Sequence, residues 1–146
     1  EKSGQTLLAG AGNSAGDDPA IRDSHDDVIS VLLDQGAPKR VVFHCFSGDA
    51  DMARVCAEHG WFMSFAGVIT FASAEGLREA LRTVPDDLLL VETDAPYLTP
   101  KPNRGRVNAT YLVPWTVRRM AEGRGVDVEK MCDDIVANTH RAFGQW

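Results

Sequence analysis

An α/β fold built on a parallel sheet is what this sequence predicts, and three observations carry the prediction. Short apolar runs, Val41-Val42-Phe43, Trp61 to Phe65 and Leu88-Leu89-Leu90-Val91, alternate with longer segments whose apolar residues recur at helical spacing. The last run is apolar on both faces, as a parallel strand covered on both sides must be. Two of the runs lead straight into chemically capable residues, His44-Cys45-Phe46-Ser47-Gly48-Asp49 and Glu92-Thr93-Asp94-Ala95-Pro96-Tyr97-Leu98. Alternation of this kind implies right-handed strand-helix-strand units. Polar groups at the ends of buried strands are where an α/β barrel keeps its chemistry.

The elements follow in order. Residues 1–20 mix Gly, Ala, Ser and Asp around one apolar patch, Leu7-Leu8, with neither helical nor strand periodicity, and read as a disordered or unrelated tail. Order is expected from about Arg22, with Asp23 or Ser24 as a helix cap, Asp26 and Asp27 at its positive end, and Val28, Val31 and Leu32 on its inner face. Gly36 stops that helix and Val41 to His44 forms a strand. Asp49 then caps a helix carrying Met52, Val55 and Cys56 inward, which Gly60 ends before a strand from Trp61 to Phe65. A helix over 73–82 presents Leu77, Ala80 and Leu81; Pro85 breaks the pattern, and the third strand covers 88–92. Two helices, over 110–122 and 127–143, close the chain, with Pro114 tolerated because it falls in the first turn.

Composition bounds the function. At 146 residues the chain is one domain, well short of the ~250 residues of a closed eight-unit barrel. No apolar run approaches the ~20 residues of a membrane span, so a soluble protein without a membrane partner is expected. Three cysteines without a CxxC pair, and no leader pattern, point to a reducing, cytoplasmic setting. A net charge of −6 argues against a broad nucleic-acid-coating face. It leaves room for a small basic mouth, and Lys101, Arg104 and Arg106 crowd one Pro/Gly-rich loop just after Asp94.

Side chains alternate across a strand, so Glu92 and Asp94 point one way while Val91 and Thr93 point the other. Two carboxylates sharing a compartment call for a cation, and a divalent metal is the common solution. His44, ending a different strand, is placed to join them as an imidazole ligand, with Cys45 turned into the core. The residues alone leave alternatives: Glu92 as a helix cap or an arginine partner, and Ser47-Gly48-Asp49 as a plain turn and cap. His25, His59 and His140 have no neighbour at ligand spacing and are assigned no role. No Walker A loop, GxGxxG or GxSxG occurs.

The blocks His44–Asp49, Trp61–Phe71 and Leu89–Pro100, the Arg104-Gly105 pair, and Asn138–Gly144, in this order and spacing, resemble the C-terminal half of TatD-family metal-dependent deoxyribonucleases. The resemblance covers residues from about 21 to 146. It implies a partial (β/α)8 barrel of the metal-dependent hydrolase superfamily, made of the last three parallel strands with their helices. It further implies divalent ions (Mg, Mn or Zn) hydrolysing the phosphodiester bonds of DNA. By motif position, His44 and Asp94 match metal ligands, Asp94 and Glu92 the catalytic acids, and Arg104 a substrate-binding residue. The family's HxH pair and bridging glutamate have no counterpart here, Ala20 stands where the family has a histidine, and Ala109 where it has a glutamate. The expectation is therefore a TatD-like hydrolase that is truncated and inactive as an isolated chain, or alternatively a non-catalytic barrel remnant or interaction module. Exposed sheet edges are expected to favour self-association or a partner chain.

Overall fold

The computed structural model describes residues 6–10 and 19–144, and side chains from His25 onward. Its elements are β1 (Thr6–Gly10), α1 (Pro19–Gln35), β2 (Arg40–His44), α2 (Ala50–Glu58), β3 (Phe62–Phe65), α3 (Glu75–Thr83), β4 (Leu89–Val91), α4 (Val113–Arg124) and α5 (Val128–Phe143). Short 3-10 turns at Gly67–Thr70, Asp86–Leu88 and Thr110–Leu112 join them. The four strands form one sheet in the order β1-β2-β3-β4, parallel throughout. Sequential parallel neighbours alternating with helices are the pattern of a barrel arc.

Local chemistry explains most boundaries. Asp49 caps α2 by accepting from the backbone N–H groups of Asp51 and Met52, and Asp127 caps α5 by accepting from Glu129 N–H. Pro114 sits in the first turn of α4, where its missing N–H costs no helical bond. Gly125 ends that helix at φ +65, a left-handed conformation that glycine adopts without a Cβ penalty.

Three expectations are revised. Residues 1–20 do not form a tail throughout: Thr6–Gly10 is a strand in register with Arg40–His44, and Pro19 and Ala20 already belong to α1. Five residues are too few to reveal a period, and the strand owes its form to the ladder offered by β2, a contact distant in sequence. The rest of that segment lies outside the described residues. The sheet accordingly has four strands where three were expected. Helix α1 starts at Pro19, so Asp23 and Ser24 lie inside it rather than capping it, and Asp26 and Asp27 lie beyond its first turn. Its inward residues are Val28, Ile29 and Leu32, whereas Val31 is 59% exposed.

The sheet's helix-facing side carries Val41, Phe43, Met63, Phe65 and Leu89, all buried against Ala53, Cys56, Leu81, Met120 and Met131. Helix α5 is tied to β4 as well as packed on it. Asn138, 1% exposed, donates its two Nδ2 hydrogens to the carbonyls of Leu89 (2.7 Å) and Asp86 (2.8 Å). Arg124 likewise donates to the Leu81 and Val84 carbonyls, both at 2.6 Å, and pairs with Asp86. Among the described residues no helix is long and apolar enough to cross a membrane.

Candidate metal centre

The alternation of side chains across the sheet puts Val42 and His44 of β2, Ser64 of β3, and Leu90 and Glu92 at β4 on the face opposite Val41, Phe43 and Met63. These residues line a cavity of about 280 Å³, closed at one margin by Thr139 and Phe143 of α5. Its polar end is the C-terminal end of the strands.

There His44, Glu92 and Asp94 converge, each offering a ligand atom within 4.8 Å of the others. His44 Nδ1 lies 2.9 Å from Glu92 Oε2, and His44 Nε2 lies 3.7 Å from Asp94 Oδ1. A carboxylate only accepts, so the contact with Glu92 places the ring proton on Nδ1. That leaves the Nε2 lone pair aimed toward Asp94, and two acceptors facing each other at this distance repel unless a cation or proton stands between them. Their separation is less than twice a metal–ligand bond of about 2.1 Å, so one ion can bridge them. Glu92 Oε1 is buried without a hydrogen-bond partner among the described residues, a polar atom left for a water or ion to satisfy. The donor set, one imidazole and two carboxylates, suits Zn²⁺, Mn²⁺ or a related divalent ion.

The backbone explains the convergence. Phe46 N–H donates to Ser64 O (2.8 Å) and Glu92 N–H to Phe65 O (3.1 Å), so the β2 and β4 chains stay anchored to β3 as they leave the sheet. Asp94 then turns at φ +56 and its carbonyl accepts from Tyr97 N–H at 2.8 Å. Cys45, at φ +47, is buried with Ala66 and Val68 beside the site. Burial, with Glu92 and Asp94 nearby, pushes that thiol up to about 12.

The other candidates fall as follows. Arg104 is exposed and its guanidinium lies 3.9 Å from the centroid of the Phe71 ring, a cation–π contact that holds the charge at the surface. No described acidic residue forms an ion pair with Lys101, Arg104 or Arg106. His25, given no role from sequence, is buried and its Nε2 lies 3.4 Å from Ser47 Oγ, and burial lowers its pKa. His59 stacks on Trp61 at 4.7 Å between centroids. Asn138 went unremarked as a structural residue, although its signal was present: a polar residue in the buried Met131, Ile135, Asn138, Ala142 stripe of α5.

Comparison with known proteins identifies the family. The family model described as TatD related DNase matches residues 21–144. An uncharacterized metal-dependent hydrolase TatD of Mycobacterium tuberculosis is 47% identical over 123 residues, covering 84% of this chain and 47% of the relative. The Escherichia coli hydrolase YcfH is 40% identical over 123 residues, covering 84% of this chain and 46% of its own length. The chain thus spans about half the length of the curated relatives it matches. Among solved structures, the E. coli TatD homolog YjjV superposes with a TM-score of 0.80 at 22% identity, covering 94% of this chain and 62% of that one. A TatD family hydrolase of Entamoeba histolytica gives 0.69 at 14% identity, covering 96% and 51%.

Proposed function

Because the chain belongs to the TatD-related DNase family, we propose that it supplies one half of a metal-dependent phosphodiesterase centre acting on DNA. The observation that carries this reading is the approach of His44 Nε2 and Asp94 Oδ1 to 3.7 Å, with His44 oriented from behind by Glu92. A carboxylate behind a histidine fixes its tautomer and raises its basicity, the usual support of a metal-binding imidazole.

In this reading His44 and Asp94 hold the ion, and Glu92 orients His44 through its Nδ1. A divalent ion, when bound, polarises the phosphoryl oxygen and makes water nucleophilic near neutral pH. Asp94 also accepts the proton of the attacking water, as a new bond from the water oxygen to phosphorus forms and the bond to the departing sugar oxygen breaks. Arg104 anchors a flanking phosphate; an acidic chain with three exposed cations in one loop, none paired with a described acid, has its phosphate affinity concentrated there.

Two side chains leave the rest of an ion's coordination to water, so the 146-residue chain by itself should hold the ion loosely and cleave slowly. The remaining ligands would come from the barrel strands its relatives carry in their other half, docking along the outer edge of β4 or against β1.

Equilibrium binding of Mn²⁺ or Zn²⁺ to the chain and to His44→Ala and Asp94→Asn is the direct test. Binding that is lost in both variants supports the reading, and identical binding in wild type and variants overturns it. Negligible DNA cleavage by the chain alone, restored when the missing strands are supplied, is the expected activity result. Robust cleavage by the chain alone would refute the divided-site part of the proposal.

A further inference from the structure

Asp94 stands at φ +56, in the left-handed region, where a residue with a Cβ persists only if its surroundings determine it. One side chain braces that turn on both sides. Asn108 is 4% exposed, fourteen residues further along, at the far end of the basic loop. Its Nδ2 donates to Thr93 O at 2.7 Å and to Tyr97 O at 2.6 Å. Its Oδ1 accepts from Ala109 N–H at 2.9 Å, and its own backbone N–H donates to Pro96 O at 3.1 Å. Both amide hydrogens and the amide oxygen are therefore committed. Thr93 and Tyr97 bracket Asp94, and Tyr97 N–H closes the turn on Asp94 O.

We propose that Asn108 is the positioning residue of the metal centre: its carboxamide clamps the carbonyls on either side of Asp94 and so fixes where Asp94 Oδ1 stands relative to His44 Nε2. The inference rests on the reading that His44 and Asp94 hold an ion. It explains why a carboxamide is needed, since only a forked donor of this length reaches both carbonyls while offering an acceptor to the next amide. Aspartate has the same size but turns two acceptors toward two acceptors. Serine or alanine supplies no fork.

The test uses the 146-residue chain, Mn²⁺ alone as the probe, and amide hydrogen exchange of the metal-free protein. Asn108→Ala and Asn108→Asp are each expected to weaken Mn²⁺ binding at least tenfold and to speed exchange of the Tyr97 amide at least tenfold, with the core-strand amides of Met63 and Leu90 unchanged. The control is Thr99→Val, which removes a hydroxyl bonded at 2.6 Å to Arg106 O in the same loop; it should leave Mn²⁺ affinity within twofold. If Asn108 served only to fill space, the isosteric change Asn108→Asp would leave binding like wild type, and that result overturns the proposal. So does an equal loss in Thr99→Val, or acceleration spread evenly over the core. Should the wild-type chain bind no Mn²⁺ while the Tyr97 amide of Asn108→Ala still loses protection, the metal reading fails and the clamp on Asp94 stands.

Discussion

Replacing Gly67 by alanine tests whether the loop that carries Asp94 is seated on the turn after β3. A Cβ added at Gly67 would stand 2.0 Å from the Leu98 carbonyl oxygen and 3.0 Å from both N and Cδ of Pro100. Real Cβ contacts stop near 3.0 Å, so the Leu98 oxygen has to retreat by about 1 Å in a close-packed region. The obstruction is main chain, and it has little room to yield. Leu98 sits at φ +52, and Thr99 is pinned by its hydroxyl to Arg106 O. Overpacking of this sort costs about 1–3 kcal/mol, and a main-chain obstruction belongs in the upper half of that range. With a urea m-value of about 2 kcal/mol/M for a chain of this size, a loss of ~2 kcal/mol lowers the unfolding midpoint by roughly 1 M. Gly76→Ala is the control: in the first turn of α3, an added Cβ meets nothing within 4 Å, and the change is worth up to about 1 kcal/mol of added stability. One chemical change should thus move the midpoint in opposite directions at two sites. Midpoints for Gly67→Ala at or above wild type would refute the seating argument.

Other outcomes follow from the same contacts. Asn138→Ala strands the Leu89 and Asp86 carbonyls and should cost about 1–3 kcal/mol in the same urea experiment, visible as loss of midpoint with unchanged slope. The Lys130 ammonium, and then the Arg124 guanidinium, hold the Asp86 carboxyl below its ordinary value. Its stabilising share is therefore present above about pH 4 and is lost as pH falls through the folded value. Because Asp86 is half-exposed, the gap between wild type and Asp86→Asn should be at most about 1 kcal/mol at neutral pH, closing in acid, as urea midpoints measured across that range would report. Burial pushes the Cys45 and Cys56 thiols up to about 12, whereas Cys132 is exposed. Iodoacetamide at pH 8 should alkylate Cys132 in the native chain and reach the other two only after unfolding, which peptide mass mapping will show.

Much of the fold was legible because its signals are local. The strands at β2, β3 and β4 announced themselves as apolar runs, and Asp49, Asp127, Pro114 and Gly36 marked ends through backbone chemistry that operates within a few residues. The grouping of Glu92, Asp94 and His44 was expected from their places at strand ends, but strand alternation is not what delivers Asp94, which lies beyond β4 in a left-handed turn. What the sequence did not reveal depends on distant partners. Thr6–Gly10 becomes a strand only because β2 offers it an edge, and the direction of Val31 depends on what α1 packs against. The pairing of Glu92 with His44 Nδ1, in preference to a helix end or an arginine, is set by two strand ends brought together by β3 between them. Asn108 and Asn138 look like ordinary polar residues until the carbonyls they serve are in place.

The grip of α5 on β4 has a bearing on how such a chain can change. Asn138 binds Leu89 O and Asp86 O and Arg141 reaches Asp87 O, while Arg124, at the end of α4, binds Leu81 O and Val84 O just ahead of them. Every one of these acceptors is a peptide carbonyl, which each amino acid carries alike. These bonds to the foot of β4 do not read its side chains, although the Asp86 carboxylate also pairs with Arg124 and Lys130 and Leu89 packs in the core. A change of side chain at Asp86 or Asp87 leaves these carbonyl bonds in place even where it removes an ion pair, whereas Leu88 and Leu89 are fixed by burial; the residues at the strand's head can be selected for chemistry while the foot keeps them in place. An enzyme lineage that varies its substrates by redrawing strand ends would gain from such an indifferent anchor.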